Sequence, residues 1–295
     1  MTSSQALWQH GASQLFLVGA LLCLTRERTS LATAALAGLC TGLLIANRPP
    51  AIAIAAVLVC YAVVRWRVRS WAFVGAAAMP IAATILYNTM AFGLSMGGYQ
   101  RIGVLRTMPD PERAAAIAAE LLASPTRGLF AFSPFLLMGV ALAPRMFRDR
   151  GDRVLNALLA AGFAGLLAVH ALVGFRPGFC FGPRFLVDGL PILVWLLVPV
   201  IQSLGRNGRR LFVGLSAVSV LVQAVGAYYY TSRSDLKIYA PPAQVPPFSR
   251  AWDVRNSPLV EDVRFGPATP VLRERIEVAI RRRADRLRAS ESVGR

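Results

Sequence analysis

Long apolar stretches alternating with short arginine-bearing loops set the pattern of this chain. Eight can be marked, over residues 12–24, 31–46, 51–64, 71–92, 128–144, 154–173, 185–204 and 211–230. Several fall short of the roughly 20 residues that cross about 30 Å of hydrocarbon. Short stretches borrow a turn from their flanks, Gln9 to Gly11 for the first and Asn47 for the second, or thin the bilayer locally. The pattern predicts an all-α, polytopic integral membrane protein with about 8 transmembrane helices over residues 1–230. Residues 231–295 are predicted to form an extramembrane basic tail.

The loops orient these helices. Those after odd-numbered stretches carry Arg26 and Arg28; Arg65, Arg67 and Arg69; Arg145, Arg148, Arg150 and Arg153; Arg206, Arg209 and Arg210. Loops on the other side hold Arg48 alone, a thin scatter over 93–127, and then Arg176 and Arg184. The contrast puts the odd loops in the cytoplasm, with the N-terminus, loop 93–127, stretch 175–184 and the tail outside. The tail is itself basic, but long segments translocate largely regardless of charge. Loop 93–127 opens with the glycine-rich GLSMGGYQR. PDPER then starts a short helix, 114–123, expected on the membrane surface. The tail opens with YAPPAQVPPF, 239–248, an extended linker. An amphipathic helix follows over 270–289, suited to anionic lipid or simply solvated.

Composition strengthens the membrane reading and narrows the partners. Of 295 residues 55% are hydrophobic and 16% charged, with a mean hydropathy of +0.51, too apolar for a soluble globular chain. The net charge is +17 and Lys237 is the only lysine. Because the arginines sit in short loops between apolar stretches, orientation explains them without nucleic acid. Membrane lipids are the expected partners. Cys23, Cys40, Cys60 and Cys180 are far apart and lack metal-ligand or redox spacing. The opening MTSSQALWQHGASQ lacks the basic segment of a cleavable signal peptide.

Candidate chemistry concentrates in FRPGFCFGPRFLVDGLP, 175–191. Arg176, Arg184 and Asp188 stand at the mouth of a helix that must enter hydrocarbon, where a charge costs roughly 2.5–3.5 kcal/mol at mid-depth and less at the interface. Gly182 and Pro183 end one element before Arg184, and Arg184 and Asp188 are spaced as i,i+4 partners. A snorkelling arginine and a capping aspartate are the structural alternative. Arg48, Arg101, Arg127, Arg176 and Arg184 gather on the outer side, and guanidiniums suit a phosphate headgroup. His10, beside Trp8, can meet a phosphate or sugar hydroxyl there, or simply belong to the interfacial belt. His170, inside a stretch, is expected as a buried hydrogen-bonding histidine. Sugar transfer needs a general base. Asp188 is expected to be tied up by Arg184, and Asp110 and Glu112 sit in a turn, so the catalytic residue is unknown.

Several segments together resemble the polyprenyl-phosphate-sugar-dependent glycosyltransferases of the GT-C fold, bacterial membrane proteins akin to protein mannosyltransferases and the lipid A aminoarabinose transferase. They are SSQALWQHG at 3–11, the Arg-Pro at 48–49, LYNTMAFGLSMGGY at 86–99, SPTRGLFAFSPFLL at 124–137 and FCFGPRFLVDGLP at 179–191, in family order. The resemblance implies transfer of a sugar from a polyprenyl-phosphate donor on the outer face of a bacterial inner membrane, often with a divalent metal. The substrate-binding candidates are His10, Arg48, Tyr99, Arg101, Arg127, Arg184 and Asp188, and no metal ligand is found. The family's first helix and acidic loop are not matched, so a fragment, a mis-set start or an inactive relative is expected. A non-catalytic scaffold is the alternative. Transport is disfavoured, because mid-span polar residues are sparse (Asn88, Asn156, His170, Gln223).

Overall fold

Every regular element among the described residues is helical. These are residues 9–27, 30–96, 111–148, 153–173, 180–238 and 250–269 of a computed structural model, with Glu274, Val278 and Arg282 beyond them. The helices are α1 (Gln9–Leu24), α2 (Leu31–Asn47), α3 (Ile52–Trp66), α4 (Ser70–Phe92), α5 (Pro111–Ala123), α6 (Leu129–Phe132), α7 (Leu137–Ala141), α8 (Arg153–Val173), α9 (Leu190–Gln202), α10 (Arg206–Tyr228), α11 (Arg233–Ile238) and α12 (Pro258–Phe265). Of the helix expected at 270–289 only Glu274, Val278 and Arg282 are described, all helical, and linker 239–248 lies outside the described residues.

Four helical stretches are long and apolar enough to cross a membrane: Pro49–Phe92, Arg153–Leu172, Arg184–Gln202 and Arg206–Tyr228. Large apolar side chains stay exposed along them, including Met79, Leu86, Tyr87 and Met90 on α4 and Val213, Val220 and Leu221 on α10. Water would penalise such a surface and lipid does not, so this is a membrane protein. Among the described residues the expected count of about eight spans is not confirmed. α1 and α2 are also apolar but shorter, at 16 and 17 residues. Stretch 128–144 is no continuous helix, being broken into α6, a 3-10 turn at Pro134–Leu136, α7 and a second 3-10 turn at Ala143–Phe147. Pro134 holds its predecessor Ser133 at φ −140° and ends α6, and Pro144, lacking an N–H, stands at the start of the second 3-10 turn. Pro49–Phe92 is in turn bent at Arg67, whose φ is 44°, into α3 and α4.

The chain divides into two compact units. The first comprises 1–118, 136–176 and 185–212, and its helix directions follow from close contacts. A Cβ on Gly38 of α2 would stand 2.0 Å from the Phe73 carbonyl oxygen, and one on Gly42 2.2 Å from that of Ala77, both on α4. Position advances by four on both helices, so α2 and α4 run parallel, with backbones nearly touching at small residues. α3, which joins them, must therefore run back. The Asn47 amide, ending α2, donates to the Gln9 carbonyl at 2.7 Å and the Ser13 hydroxyl at 2.8 Å at the start of α1, so α1 and α2 are antiparallel. Gly162 of α8 meets Val57 and Gly165 meets Ala53, the reverse order, so α8 opposes α3. One end of the unit thus holds His10, Asn47 and Arg48, and the other holds Arg26, Arg65 and Arg69.

Gly38 carries a test of this packing. Gly38→Ala is expected to cost about 3 kcal/mol, because two backbones must separate. Gly75→Ala, with nothing within 4 Å of the added Cβ, should be neutral or up to about 1 kcal/mol stabilising through helix propensity. Thermal unfolding in detergent reads both. Equal midpoints would mean that α2 and α4 do not meet at Gly38.

The second unit comprises 119–135, 177–184 and 213–295. Residues 250–269 are not loose. Ser257 donates to the Pro125 carbonyl at 2.7 Å, Thr126 to the Ala251 carbonyl at 2.9 Å, and the Ala268 N–H to the Tyr228 carbonyl at 2.7 Å. Phe132, Phe181 and Tyr230 stack edge to face beside them, and Gly226 admits Phe181 where a Cβ would lie 2.5 Å from its ring.

Candidate functional site

In the first unit Asp188 is the centre of a buried charged cluster. Pro49 and Pro50 end α2 and hold Arg48 extended, at φ −141°, so the helix stops where its guanidinium is needed. Asp188 lies in the 3-10 helix Arg184–Gly189, which rests closely on α8: a Cβ on Gly189 would come 2.6 Å from the Phe163 ring. His10, in the first turn of α1, contacts Asp188 Oδ1 through Nδ1 at 2.8 Å, and Arg48 Nε donates to Oδ2 at 3.0 Å. The Gln14 amide, one turn after His10, donates to the Val187 carbonyl at 2.9 Å and holds the 3-10 helix to α1. Asp188 is fully buried, and His10 and Arg48 are each 6% exposed. A carboxylate only accepts, so His10 Nδ1 carries the proton in this contact.

The expected Arg184–Asp188 pair gives way to this arrangement. The i,i+4 rule holds on an α-helix, but a 3-10 helix has three residues per turn and brings i and i+3 into line. Asp188 therefore finds its partners 178 and 140 residues away in sequence. It lies inside the 3-10 turn and not at a helix cap. Arg184 is partly exposed at the start of that turn, its N–H donating to the Gly182 carbonyl at 2.9 Å.

The hydrogen bond expected of His170, near the end of α8, is not found. The residue is buried, its ring lies flat on Phe185 at 4.7 Å, and its Nε2 has no hydrogen-bond partner among the described residues. Arg48, Asp188 and His10 are close enough to act on it electrostatically. Asn156, a transport candidate by position alone, is used structurally. Its amide donates to the Met146 carbonyl at 2.6 Å and its oxygen accepts from Trp195 Nε1 at 3.0 Å.

In the second unit the buried arginine is Arg127, 1% exposed. Its guanidinium donates to the Cys180 carbonyl at 3.0 Å and Sγ at 2.8 Å, and pairs with Asp235. The Tyr230 hydroxyl donates to the other oxygen of Asp235. Burial pushes the Asp235 carboxyl up to about 6 against the pull of Arg127, and burial with the Asp235 charge raises the Tyr230 phenol. Asp262 is also fully buried and accepts from the Thr231 N–H and hydroxyl and the Ser234 hydroxyl. Asp235, Tyr230 and Asp262 are not among the sequence candidates. The tail holds eight of the chain's 15 acidic residues, and nothing in the sequence singles out Asp235 and Asp262 among them.

Of the seven predicted binding residues, His10, Arg48 and Asp188 come together in the first unit. Arg127 and Arg184 belong to the second, and Tyr99 and Arg101 lie outside the described residues. Among the described residues no three His, Cys, Asp or Glu side chains are placed to hold a metal, so no step is assigned to one. No protein-family model, no curated protein and no solved structure matches the chain. What it defines by itself is an all-helical membrane protein with buried ionic clusters.

Proposed function

We propose that this chain is a membrane glycosyltransferase-like protein of the GT-C type, taking a polyprenyl-phosphate-linked sugar at the outer face of a bacterial inner membrane. The observation that supports the reading most is the meeting of His10, Arg48 and Asp188. Each comes from a different segment of the family resemblance, and they converge on one carboxylate. They also lie at the end of the first unit away from Arg65 and Arg69, as an outward site requires. Arg184, partly exposed beside the Gly-Pro turn, is the guanidinium that would take the lipid phosphate by a two-pronged contact.

A second reading, a lipid-binding scaffold without turnover, has one observation in its favour. Both oxygens of Asp188 are engaged, so the best-placed carboxylate is not a free base. The two readings share the lipid and differ in the chemistry.

Titrating the purified protein with a polyprenyl phosphate, read by native mass spectrometry, tests the shared part. Arg184→Ala and Arg184→Lys should each weaken binding by about 1.5–3 kcal/mol, roughly 10- to 150-fold, since lysine keeps the charge but loses the planar fork. Wild-type affinity in a folded Arg184→Ala variant would sink the assignment. Radiolabelled sugar transfer from a polyprenyl-phosphate donor would decide for the enzyme, and tight binding without transfer for the scaffold.

A further inference from the structure

The short helix α12 buries its acids and shows its valines. Glu261 and Asp262 are buried, whereas Val260 and Val263 are 42% and 39% exposed. A helix that rests on a protein in water has the reverse pattern. Residues 260, 263 and 264 recur at helical spacing, so the two valines and Arg264 form one outer stripe. Polar contacts fix the inner side. Asp262 accepts from the Thr231 N–H and hydroxyl and the Ser234 hydroxyl, and Glu261 pairs with Arg233 and Lys237. Rolling the helix to hide its valines would break these contacts. Just before α12, Trp252 and Val254 are exposed too, while the Asp253 carboxylate accepts from the Arg255 N–H at 2.9 Å. Phe265 stands apart from the stripe, its ring covered by the Arg233 guanidinium.

The last turn of α10 sets where this stripe lies. α10 has 23 residues, about 34 Å at about 1.5 Å each, so in crossing about 30 Å of hydrocarbon it brings Tyr228 to the far boundary. Thr231, which holds Asp262, follows so closely in the chain that it stands within about 10 Å of Tyr228. From beyond the other end of α12 the Ala268 N–H reaches the Tyr228 carbonyl itself at 2.7 Å. α12 is therefore tied to the end of a spanning helix from two directions. The exposed apolar surface of α10, with Val220 and Leu221, stops within reach of the stripe. Tyr228 is exposed there as well, and tyrosine and tryptophan are the residues that settle at headgroup level.

We infer that α12, with the turn before it, is an interfacial helix whose partner is the bilayer surface. Val260, Val263, Trp252 and Val254 lie at the boundary between headgroups and acyl chains, in the leaflet that receives the end of α10. Arg264, at the edge of the stripe, reaches out to the headgroups. The bilayer is the occupant because the two tethers hold the stripe at its edge, next to a surface of α10 that lipid already covers. The contact also braces the turn that carries Arg127, since Ser257 is bonded to the Pro125 carbonyl and Thr126 to that of Ala251. The inference needs a membrane around the protein and not the sugar-transfer reading.

Tryptophan fluorescence of the full chain in nanodiscs of phosphatidylcholine and phosphatidylglycerol tests this, with wild-type emission subtracted from that of Val260→Trp, Val263→Trp and Leu221→Trp. Lipid brominated high on its acyl chains should quench the two α12 positions about twofold more than lipid brominated near the chain ends, as a helix sunk about 5–10 Å into the boundary requires. Leu221→Trp, on the spanning part of α10, should show the opposite order. The native Trp252, read as the difference between wild type and Trp252→Phe, should behave like the α12 positions and needs no added bulk. Unfolding midpoints like that of wild type will show that the fold is kept. Quenching of the α12 positions and Trp252 by aqueous acrylamide alone would put the stripe in water. Quenching by neither agent would mean that a second copy or another protein covers it. Either result would overturn the proposal.

Discussion

Asp188→Ala is expected to destabilise the first unit by about 3–5 kcal/mol, the range for removing one partner of a buried ion pair. The size follows from what stays behind. Arg48, 6% exposed, would keep its charge and lose its counterion, and the His10 Nδ1–H would lose its acceptor. Asp188→Asn should cost less, since the amide oxygen can still accept from one of the two. The double variant Asp188→Leu with Arg48→Met should recover much of the loss, because well-packed apolar groups often replace a buried pair at little or no cost. Thermal unfolding in detergent gives all three. If Asp188→Ala unfolds like wild type, the cluster is not buried as described. If the double variant is as unstable as the sum of Asp188→Leu and Arg48→Met measured singly, Asp188 and Arg48 are not coupled to each other.

Arg127→Met should cost the second unit a similar amount, about 3–5 kcal/mol near pH 8, and the cost should shrink on acidification. The reason is Asp235. Its carboxyl already titrates near 6 in the fold against an ordinary value of 3.8. A raised folded value means that the fold prefers the protonated acid, so the stabilisation is full below about 4 and is lost as pH rises through about 6. In the wild type this slope is worth ~3 kcal/mol at most, since a tenfold change in proton affinity corresponds to about 1.4 kcal/mol. Without Arg127 the charged form loses its counterion, the carboxyl is pushed higher still, and the decline with pH steepens. Asp235→Asn should flatten it. Unfolding midpoints between pH 4 and 8 separate these outcomes, and parallel curves for wild type and Arg127→Met would refute the coupling.

Several helices are legible in the sequence as long apolar stretches, and α4 continues through its interior proline, Pro80. α8 over Arg153–Val173 and α4 over Ser70–Phe92 lie within a residue of the expected stretches. At 128–144 apolar character suggests one helix, and proline overrules it. Pro134 and Pro144 cannot supply the i→i−4 hydrogen bond, and the helix is broken there, whereas α4 tolerates Pro80 and α9 tolerates Pro199. The alternation of arginine-rich and arginine-poor loops is also legible. The helix directions in the first unit separate Arg48 from Arg65 and Arg69 in the same sense.

What the sequence could not supply is partnership. Periodicity reports which residues share a face of one helix and says nothing about which helix lies opposite. Arg184 is the nearest basic residue to Asp188, and a local rule pairs them. The tertiary fold instead brings in His10 and Arg48 from distant parts of the chain, because a 3-10 turn rotates Asp188 away from the α-helical register. Charge alone points Arg127 at lipid phosphate, whereas the fold closes it over with Asp235 from a segment that reads as a tail. Sequence by itself determined that this chain is helical, apolar enough for a membrane and positively charged at chosen loops. These follow from short-range terms, transfer free energy and backbone propensity. Which charges neutralise one another depends on distances between residues more than a hundred positions apart, and only the packed structure sets those.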